Sequence, residues 1–453
     1  MSSALQPRES QMKKVLMIAH VFPPFKSVGH SIRVVKFIKY LPALGWLPLL
    51  LTIDDRKEYE YHLKEGSQET LLPDIPPEVS IYRTAAGEPS LEFLEKERRW
   101  GQQNWLTAVI VKILGGARRW AFRNLALPDR RVVWLPFALR RGLQIVRSEG
   151  IDVIFATCPP NSVALVGACL KLLTGKPLIL DFRDDWIDTP WYRSMPTIIR
   201  IINRKLERWV VKTADKVILV TEWSENAFIE RYPGEPRDKF VLISNGCDLV
   251  EFAGLNETMP APRNPKFTIV HSGTLCDSRD WTRTPTTLFQ AIHHILQRQP
   301  ELVEELTLAF TGFLSERQRQ VVEEMGLSGL VNELGYLPRD EFLRLMNASE
   351  MLLVINYEGC STLIPGKIYE YWAVGGPPIL LLSCPGAAAS FVEQHGLGLT
   401  VDPSDVAGIQ EAILTVYLQS KSATPLRVST AGIEAYDRQA LTRKLAKVLS
   451  MVI

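Results

Sequence analysis

Neither charge sign dominates this 453-residue chain: 52 Lys and Arg stand against 50 Asp and Glu, a formal net charge of +2. A dedicated nucleic-acid binder carries a strong basic excess, so no nucleic-acid partner is expected. Long apolar runs are missing as well. The longest, Trp46 to Ile53 and Pro377 to Leu382, fall far short of the roughly 20 residues that span a bilayer. The opening residues, MSSALQPRESQMKK, are polar and lack the apolar stretch of a secretory signal. Six cysteines, at 158, 169, 247, 276, 360 and 384, show no C-x-x-C spacing, which suits a reducing compartment and offers no zinc site. Neither G-x-x-x-x-G-K-[ST] nor G-x-G-x-x-G occurs, which excludes a P-loop and the standard dinucleotide fold. The expected location is the cytoplasm, with peripheral attachment to the inner face of the cell membrane left open.

What the chain does have is alternation. KVLMIA (residues 14–19) is a continuous apolar run, the pattern of a strand buried on both faces. A Pro/Gly loop and a helical stretch, Ile32 to Leu44, lead to a second strand, Trp46–Ile53. Further strands are predicted at Val79–Tyr82, Ile151–Ala156, Pro177–Asp181, Lys216–Val220 and Phe240–Ile243, with helices such as Asn161–Leu173 and Pro196–Thr213 between them. Near residue 250 the turn-rich stretch GLNETMPAPRNP reads as a linker. The pattern then restarts with KFTIVHSG (266–273) and strands at Leu306–Phe310, Glu350–Ile355, Pro378–Leu382 and Leu399–Val401. Strands alternating with helices imply parallel sheets covered on both faces. The expected organisation is an α/β unit over 1–254, a second over 264–435, and a last helix in 436–453 packing back on the first. Facing sheets of this kind place a ligand cleft at the carboxyl ends of their strands.

One segment breaks the alternation. Residues 105–147, in an insert spanning about 90–147, hold nine Lys/Arg and one acid, Asp129, interleaved with Trp105, Trp120, Phe122, Trp134 and Phe137. That segment carries +8, leaving −6 for the rest of the chain. Two readings stand side by side: an interfacial surface for anionic membrane, or a solvated basic face whose aromatics lie in the core.

The chemistry concentrates in the second half. Gly273 ends a strand, and Arg279 and Arg283 follow within ten residues. In IPGKIYEYWAVGGPPILLL, Pro365 and Gly366 stand at a helix start, Lys367 in its first turn and Glu370 one turn later. A helix N-terminus offers free N–H groups to an anion, and Lys367 and Arg279 add charge-assisted bonds. A carboxylate such as Glu370 accepts hydrogen bonds from both hydroxyls of a ribose. Phosphate donors beside a ribose acceptor describe a nucleoside-diphosphate site. His20 and His271 end the first strand of each unit and are candidate bases or substrate contacts, though a lone strand-end histidine is more often structural.

Placed in order, the motifs resemble those of the retaining glycosyltransferases of family 4, which have the GT-B fold of two Rossmann-like domains facing each other across a cleft. HVFPPFKSVGHSIRVVKFIKYLPALGW is similar to their opening pattern, and IDVIFATCPPNSVALVGACLKLLTGKPLILDFRDDW resembles their D-V-I…P-P-x-S…D-F-R-D-x-W region. ADKVILVTEWSENAFIERYP, KFVLISNGCDLVEF, HSGTL, LGYLPRDEFLRLMNASEMLLV and PGKIYEYWAVGGPPIL then follow in family order. The resemblance implies a nucleotide-diphosphate-sugar donor, a lipid-linked saccharide or polysaccharide acceptor, and no cofactor or metal. It implies that Glu370 binds the ribose, that Arg279 neutralises the diphosphate, and that Gly366 and Lys367 lie in the loop contacting it. Leu337 falls where backbone groups meet the base. On the other domain, Gly29 approaches the phosphates or acceptor, and Arg183 and Asp184 face the transferred sugar, with His20 beside them. Arg279, Lys367 and Asp184 are the expected catalytic residues.

Two positions depart from the family pattern. The first Glu of E-x7-E is replaced by Thr362, and the Arg after the strand-end glycine by Thr274; Arg283 is the nearest candidate to restore that charge. The departures leave two alternatives open: a sugar-nucleotide epimerase of the same fold, and a scaffold that binds a nucleotide or partner without transferring sugar.

Overall fold

The computed structural model describes residues 12–24, 31–54, 68–86, 99–100, 104, 107, 109, 111–112, 127–253, 265–273, 275–277, 282–422 and 426–453. Gly29, Thr274 and Arg279 lie outside the described residues.

The first unit consists of β1 (Lys13–Ile18), α1 (Ile32–Tyr40), β2 (Trp46–Ile53), β3 (Ser80–Thr84), α2 (Leu135–Glu149), β4 (Val153–Cys158), α3 (Ser162–Thr174), β5 (Leu178–Phe182), α4 (Pro190–Arg193), α5 (Thr197–Thr213), β6 (Lys216–Leu219), α6 (Glu222–Arg231) and β7 (Phe240–Leu242). Its strands form one parallel sheet in the order β3-β2-β1-β4-β5-β6-β7. All six residues of β4 and all five of β5 are buried, which explains why these strands read as unbroken apolar runs.

The second unit repeats the plan. It holds β8 (Phe267–Ser272), the short antiparallel pair β9 (Cys276–Asp277) and β10 (Thr282–Arg283), α7 (Thr286–Arg298), β11 (Leu306–Thr311), α8 (Glu316–Glu324), β12 (Val331–Glu333), α9 (Arg339–Ala348), β13 (Met351–Ile355), α10 (Gly366–Val374), β14 (Ile379–Leu382), α11 (Ala387–Gln394), β15 (Gly398–Val401) and α12 (Val406–Ser420). The sheet order β12-β11-β8-β13-β14-β15 is again third, second, first, fourth, fifth, sixth. In each sheet the order reverses beside the first strand, and ligands of open α/β sheets bind at that switch point. His20 follows β1 there, and Gly273 follows β8.

The final helix, α13 (Arg438–Met451), returns to the first unit: Leu441, Leu445 and Leu449 share a core with Val15, Phe37 and Ile38. Its approach is fixed by backbone. The Cys247 N–H donates to Tyr436 O at 3.2 Å, and the Arg438 N–H donates to Cys247 O at 2.9 Å. Gly246 allows this closeness, because a Cβ there would lie 1.9 Å from Tyr436 O.

The described part of the basic segment packs inward. Trp134 is fully buried and its indole N–H donates to Thr84 Oγ1 at 2.7 Å, while α2 lies against α3, β2 and β3. Phe137 of the same segment is exposed, so its described aromatics divide between core and surface; residues 113–126 lie outside the described ones.

Candidate functional site

The floor of the candidate site is built at the end of β8. Gly273 turns with φ +91 and its N–H donates to Thr311 O at 3.2 Å. Lys367, in the first turn of α10, donates from Nζ to Ser272 O. A Cβ on Gly273 would lie 3.3 Å from that ammonium, so glycine serves both the left-handed turn and the close approach. Tyr371, one turn further along α10, fixes the same strand end through the Ser272 N–H (3.0 Å) and Ser272 Oγ (2.9 Å). Burial pushes the Lys367 pKa well below its ordinary value, the positive charge of Arg283 adds to the effect, and Glu370 opposes it. Arg283 itself stacks 4.0 Å above the Tyr357 ring. Two cations thus converge on a helix start where a Cβ on Gly366 would meet nothing within 4 Å. A lysine whose pKa is lowered by burial, beside open amides, suits an anion, whose negative charge would favour the protonated form.

Glu370 stands one turn along the same helix. Its carboxylate is held by Arg339 at 3.2 Å, and Arg339 also reaches Glu251 at 3.0 Å. Glu251 in turn accepts from Lys36 of α1 at 2.5 Å, so one run of ion pairs links α10 to the first unit. Leu337 is half-buried in the loop before α9. Beside it, Tyr336 and Phe313 are exposed and meet edge to face at 5.7 Å. Sequence reasoning missed Arg339, Tyr336 and Phe313. The only signal for them was position, since LGYLPR and TGF directly follow strands at the same sheet end.

The first unit forms the opposite wall. His20 is buried, packs edge-on against Trp134 with centroids 5.3 Å apart, and has no hydrogen-bond partner at Nε2 among the described residues. Burial and then the charge of Arg131 lower its pKa to about 3, so it is a neutral imidazole at physiological pH. His271, its counterpart in the second unit, is also buried, with Nδ1 3.0 Å from Leu353 O. Arg183 is turned to backbone: Nε donates to Cys158 O at 3.1 Å and Nη2 to Pro159 O at 2.6 Å. It therefore braces the loop after β4. Burial raises the Asp184 pKa, although Arg183 beside it works in the opposite direction. Asp185 is bonded to Ser224 Oγ and Asp188 pairs with Arg231; both orient α6.

The two walls touch. Thr221 Oγ1, at the start of α6, donates to Thr362 O at 2.6 Å. Pro190 approaches Gly359, lying 3.9 Å from where a Cβ on that glycine would stand. Thr362, where the family pattern has glutamate, is buried, and its backbone forms this bridge.

Residues 29–246 match the family model described as a glycosyl transferase 4-like domain. Over those residues the chain is similar to that domain. The match bears out the resemblance read from the motifs. A D-inositol 3-phosphate glycosyltransferase of Salinispora arenicola is 25% identical over 214 residues, which is 44% of this chain and 46% of that protein. The match thus spans less than half the length of that relative. Among solved structures, a sucrose-phosphate synthase from Thermosynechococcus elongatus superposes with a TM-score of 0.65 at 17% identity, covering 97% of this chain and 98% of that one. A UDP-forming trehalose-phosphate synthase from Burkholderia xenovorans gives 0.64 at 15% identity, covering 97% and 99%. At such identities the likeness concerns the fold, which is GT-B. The matched residues begin after β1 and run past β7 of the first unit, and they include Arg183 and Asp184.

Proposed function

We propose that this chain is a retaining glycosyltransferase, moving a sugar from a nucleotide-diphosphate-sugar to an acceptor hydroxyl. The observation that supports it most is the convergence of Lys367, Arg283 and the open start of α10 beside Glu370. In this reading Glu370 accepts the ribose hydroxyls and the loop at Leu337 meets the base, with Tyr336 and Phe313 offering a stacking face. The amides at Gly366, together with Lys367, Arg279 and Arg283, hold the diphosphate next to Gly273 and Thr274. Gly29, Arg183, Asp184 and His20 belong to the side that receives the acceptor and the transferred sugar.

The reaction breaks the bond from the anomeric carbon to the phosphate oxygen and leaves negative charge on the departing diphosphate. Preorganised cations and amides are most effective where such charge develops. In this reading Lys367, Arg279 and Arg283 with the helix amides supply this, and no metal is called for. Retention implies attack from the face the phosphate leaves, with the phosphate oxygen taking the acceptor proton; this differs from the paired carboxylates of glycoside hydrolases. A lipid-linked saccharide or polysaccharide is the acceptor class that the family resemblance favours, at the inner membrane face. No helix among the described residues is long and apolar enough to cross a membrane; a peripheral contact through the basic segment 105–147 is one that the sequence suggests.

The test is calorimetry with nucleoside diphosphates differing in base, followed by incubation with the matching nucleotide sugars. Binding of one base class, slow release of that diphosphate, and loss of affinity in Glu370→Ala are expected. Interconversion of the sugars without release would mark an epimerase, and no binding to any nucleotide would sink both enzyme readings.

A further inference from the structure

From sequence, helix α5 (Thr197–Thr213) is one of the helices between strands, a mix of charged and apolar residues. Burial separates them. Its exposed residues are Thr197, Ile198, Ile201, Arg204, Lys205, Arg208 and Lys212. At about 100° per residue they fall within an arc of roughly 120°. The arc holds four cations and two isoleucines, 62% and 45% exposed, and no acid. The one acid of the helix, Glu207, is fully buried on the other side, accepting from Tyr232 Oη at 2.5 Å and Arg231 Nη1 at 2.7 Å. Asn203, also buried, accepts from the Trp186 indole at 2.8 Å. The inner face is therefore anchored by polar bonds that fix which residues face out.

The position of the arc matters as much as its content. Both exposed isoleucines lie in the first two turns. That end is tied to α4 by Tyr192 Oη donating to Arg200 O at 2.8 Å, and Pro190 of α4 is the residue that approaches Gly359 across the cleft. The apolar end of the band thus stands beside the cleft mouth.

We infer that the outer face of α5 docks on an anionic lipid surface, with Ile198 and Ile201 entering the interface and Arg204, Lys205, Arg208 and Lys212 meeting the headgroups. Charge complementarity selects an anionic partner. Exposed isoleucines within the same arc select a lipid surface over a polyanion, which would use the cations and leave the isoleucines in water. The surface is distinct from the described part of 105–147, whose Trp134 is in the core. Docked in this way, the protein presents its cleft to the headgroup layer.

The test is co-sedimentation of the full chain with vesicles of phosphatidylcholine, with and without phosphatidylglycerol. Binding only to the anionic vesicles, weakening with salt, is expected. The pair Arg204→Ala and Arg208→Ala should weaken it roughly 30-fold, given about 1 kcal/mol per cation near such a surface. The pair Ile198→Ser and Ile201→Ser should weaken it at least about tenfold at unchanged charge. Unchanged unfolding midpoints and nucleoside-diphosphate binding would show that the variants stay folded. Vesicle binding that survives both pairs, or is lost only with Arg118→Ala and Arg119→Ala, overturns the assignment. So does equal binding to heparin that ignores the isoleucine changes. None of these outcomes bears on the nucleotide site, which is read separately.

Discussion

Arg339→Gln should tighten nucleoside-diphosphate binding, although it removes a cation from beside the candidate site. The Arg339 guanidinium lies 3.2 Å from the Glu370 carboxylate and 3.0 Å from Glu251. If Glu370 accepts the ribose hydroxyls, the sugar must take that carboxylate from Arg339. Both side chains of the pair are about a third exposed (32% and 27%), so solvent screens it and its net worth is about 0.5–1 kcal/mol. Removing the competitor returns that amount to the ligand, a gain of roughly twofold to fivefold in affinity. Glutamine keeps most of the length, which limits repacking against Phe252, over whose ring Arg339 lies at 5.2 Å. Calorimetry on wild type, Arg339→Gln, Glu370→Gln and the double variant gives the coupling directly. In the Glu370→Gln background the arginine change should have little effect. Weaker binding on Arg339→Gln in both backgrounds would refute the reasoning, because it would mean that the guanidinium holds the nucleotide rather than competing with it.

Three other outcomes follow from the geometry. Lys367 has a lowered pKa in the empty site and a diphosphate raises it again, so binding should take up a proton and affinity should fall as pH rises, by up to about tenfold per unit; calorimetry in buffers of different ionisation heat between about pH 6 and 10 checks this, and the absence of proton uptake throughout would count against it. His20 has its pKa lowered from 6.5 to about 3, so as pH falls below 6.5 the unfolded chain protonates first and stability is lost down to about pH 3, by about 2 kcal/mol at pH 5; in denaturant unfolding His20→Gln should lack this share of the slope, and identical slopes would contradict the assignment. Gly246→Ala must displace backbone at Tyr436 and should cost about 3 kcal/mol or more; a thermal midpoint equal to wild type would show that the α13 return is looser than the structure has it.

Elements buried on both faces were legible in sequence, because burial there writes itself as composition. KVLMIA, IDVIFA and PLILD all marked strands within two residues of their observed bounds. β12 was not legible, since Val331–Glu333 lies at the sheet edge with a polar pattern. The residue set around Lys367 and Glu370 was found because helix-start chemistry is local: a Pro-Gly-Lys followed by Glu at one turn has meaning before any fold is known. Arg339 was missed for the opposite reason, as its pairing with Glu370 joins two helices 31 positions apart. Arg183 reads as cleft-facing in D-F-R-D, and two of its N–H groups donate to carbonyls of the neighbouring loop. Glu207 carries no signal of its own in the sequence, and its burial against Tyr232 leaves α5 with a one-signed outer face.

The way the two units are joined assigns different work to the front and back of the cleft. At the back, Gly246 is too close to Tyr436 to admit a methyl group, Cys247 exchanges backbone bonds with Tyr436 and Arg438, and α13 is part of the core of the first unit. Beside it Lys36, buried among Asp74, Asp248 and Glu251 at 2.5–2.7 Å, keeps its charge: burial opposes that charge, but the three carboxylates outweigh it. Parting Lys36 from all three would strand a buried charge, which costs several kcal/mol, so the back resists opening. At the front, the Thr221–Thr362 tie is one neutral hydrogen bond, worth about 1 kcal/mol. A ligand of millimolar affinity brings about 4 kcal/mol, enough to break that tie and leave the back intact. The cleft should therefore open about the Gly246–Tyr436 contact.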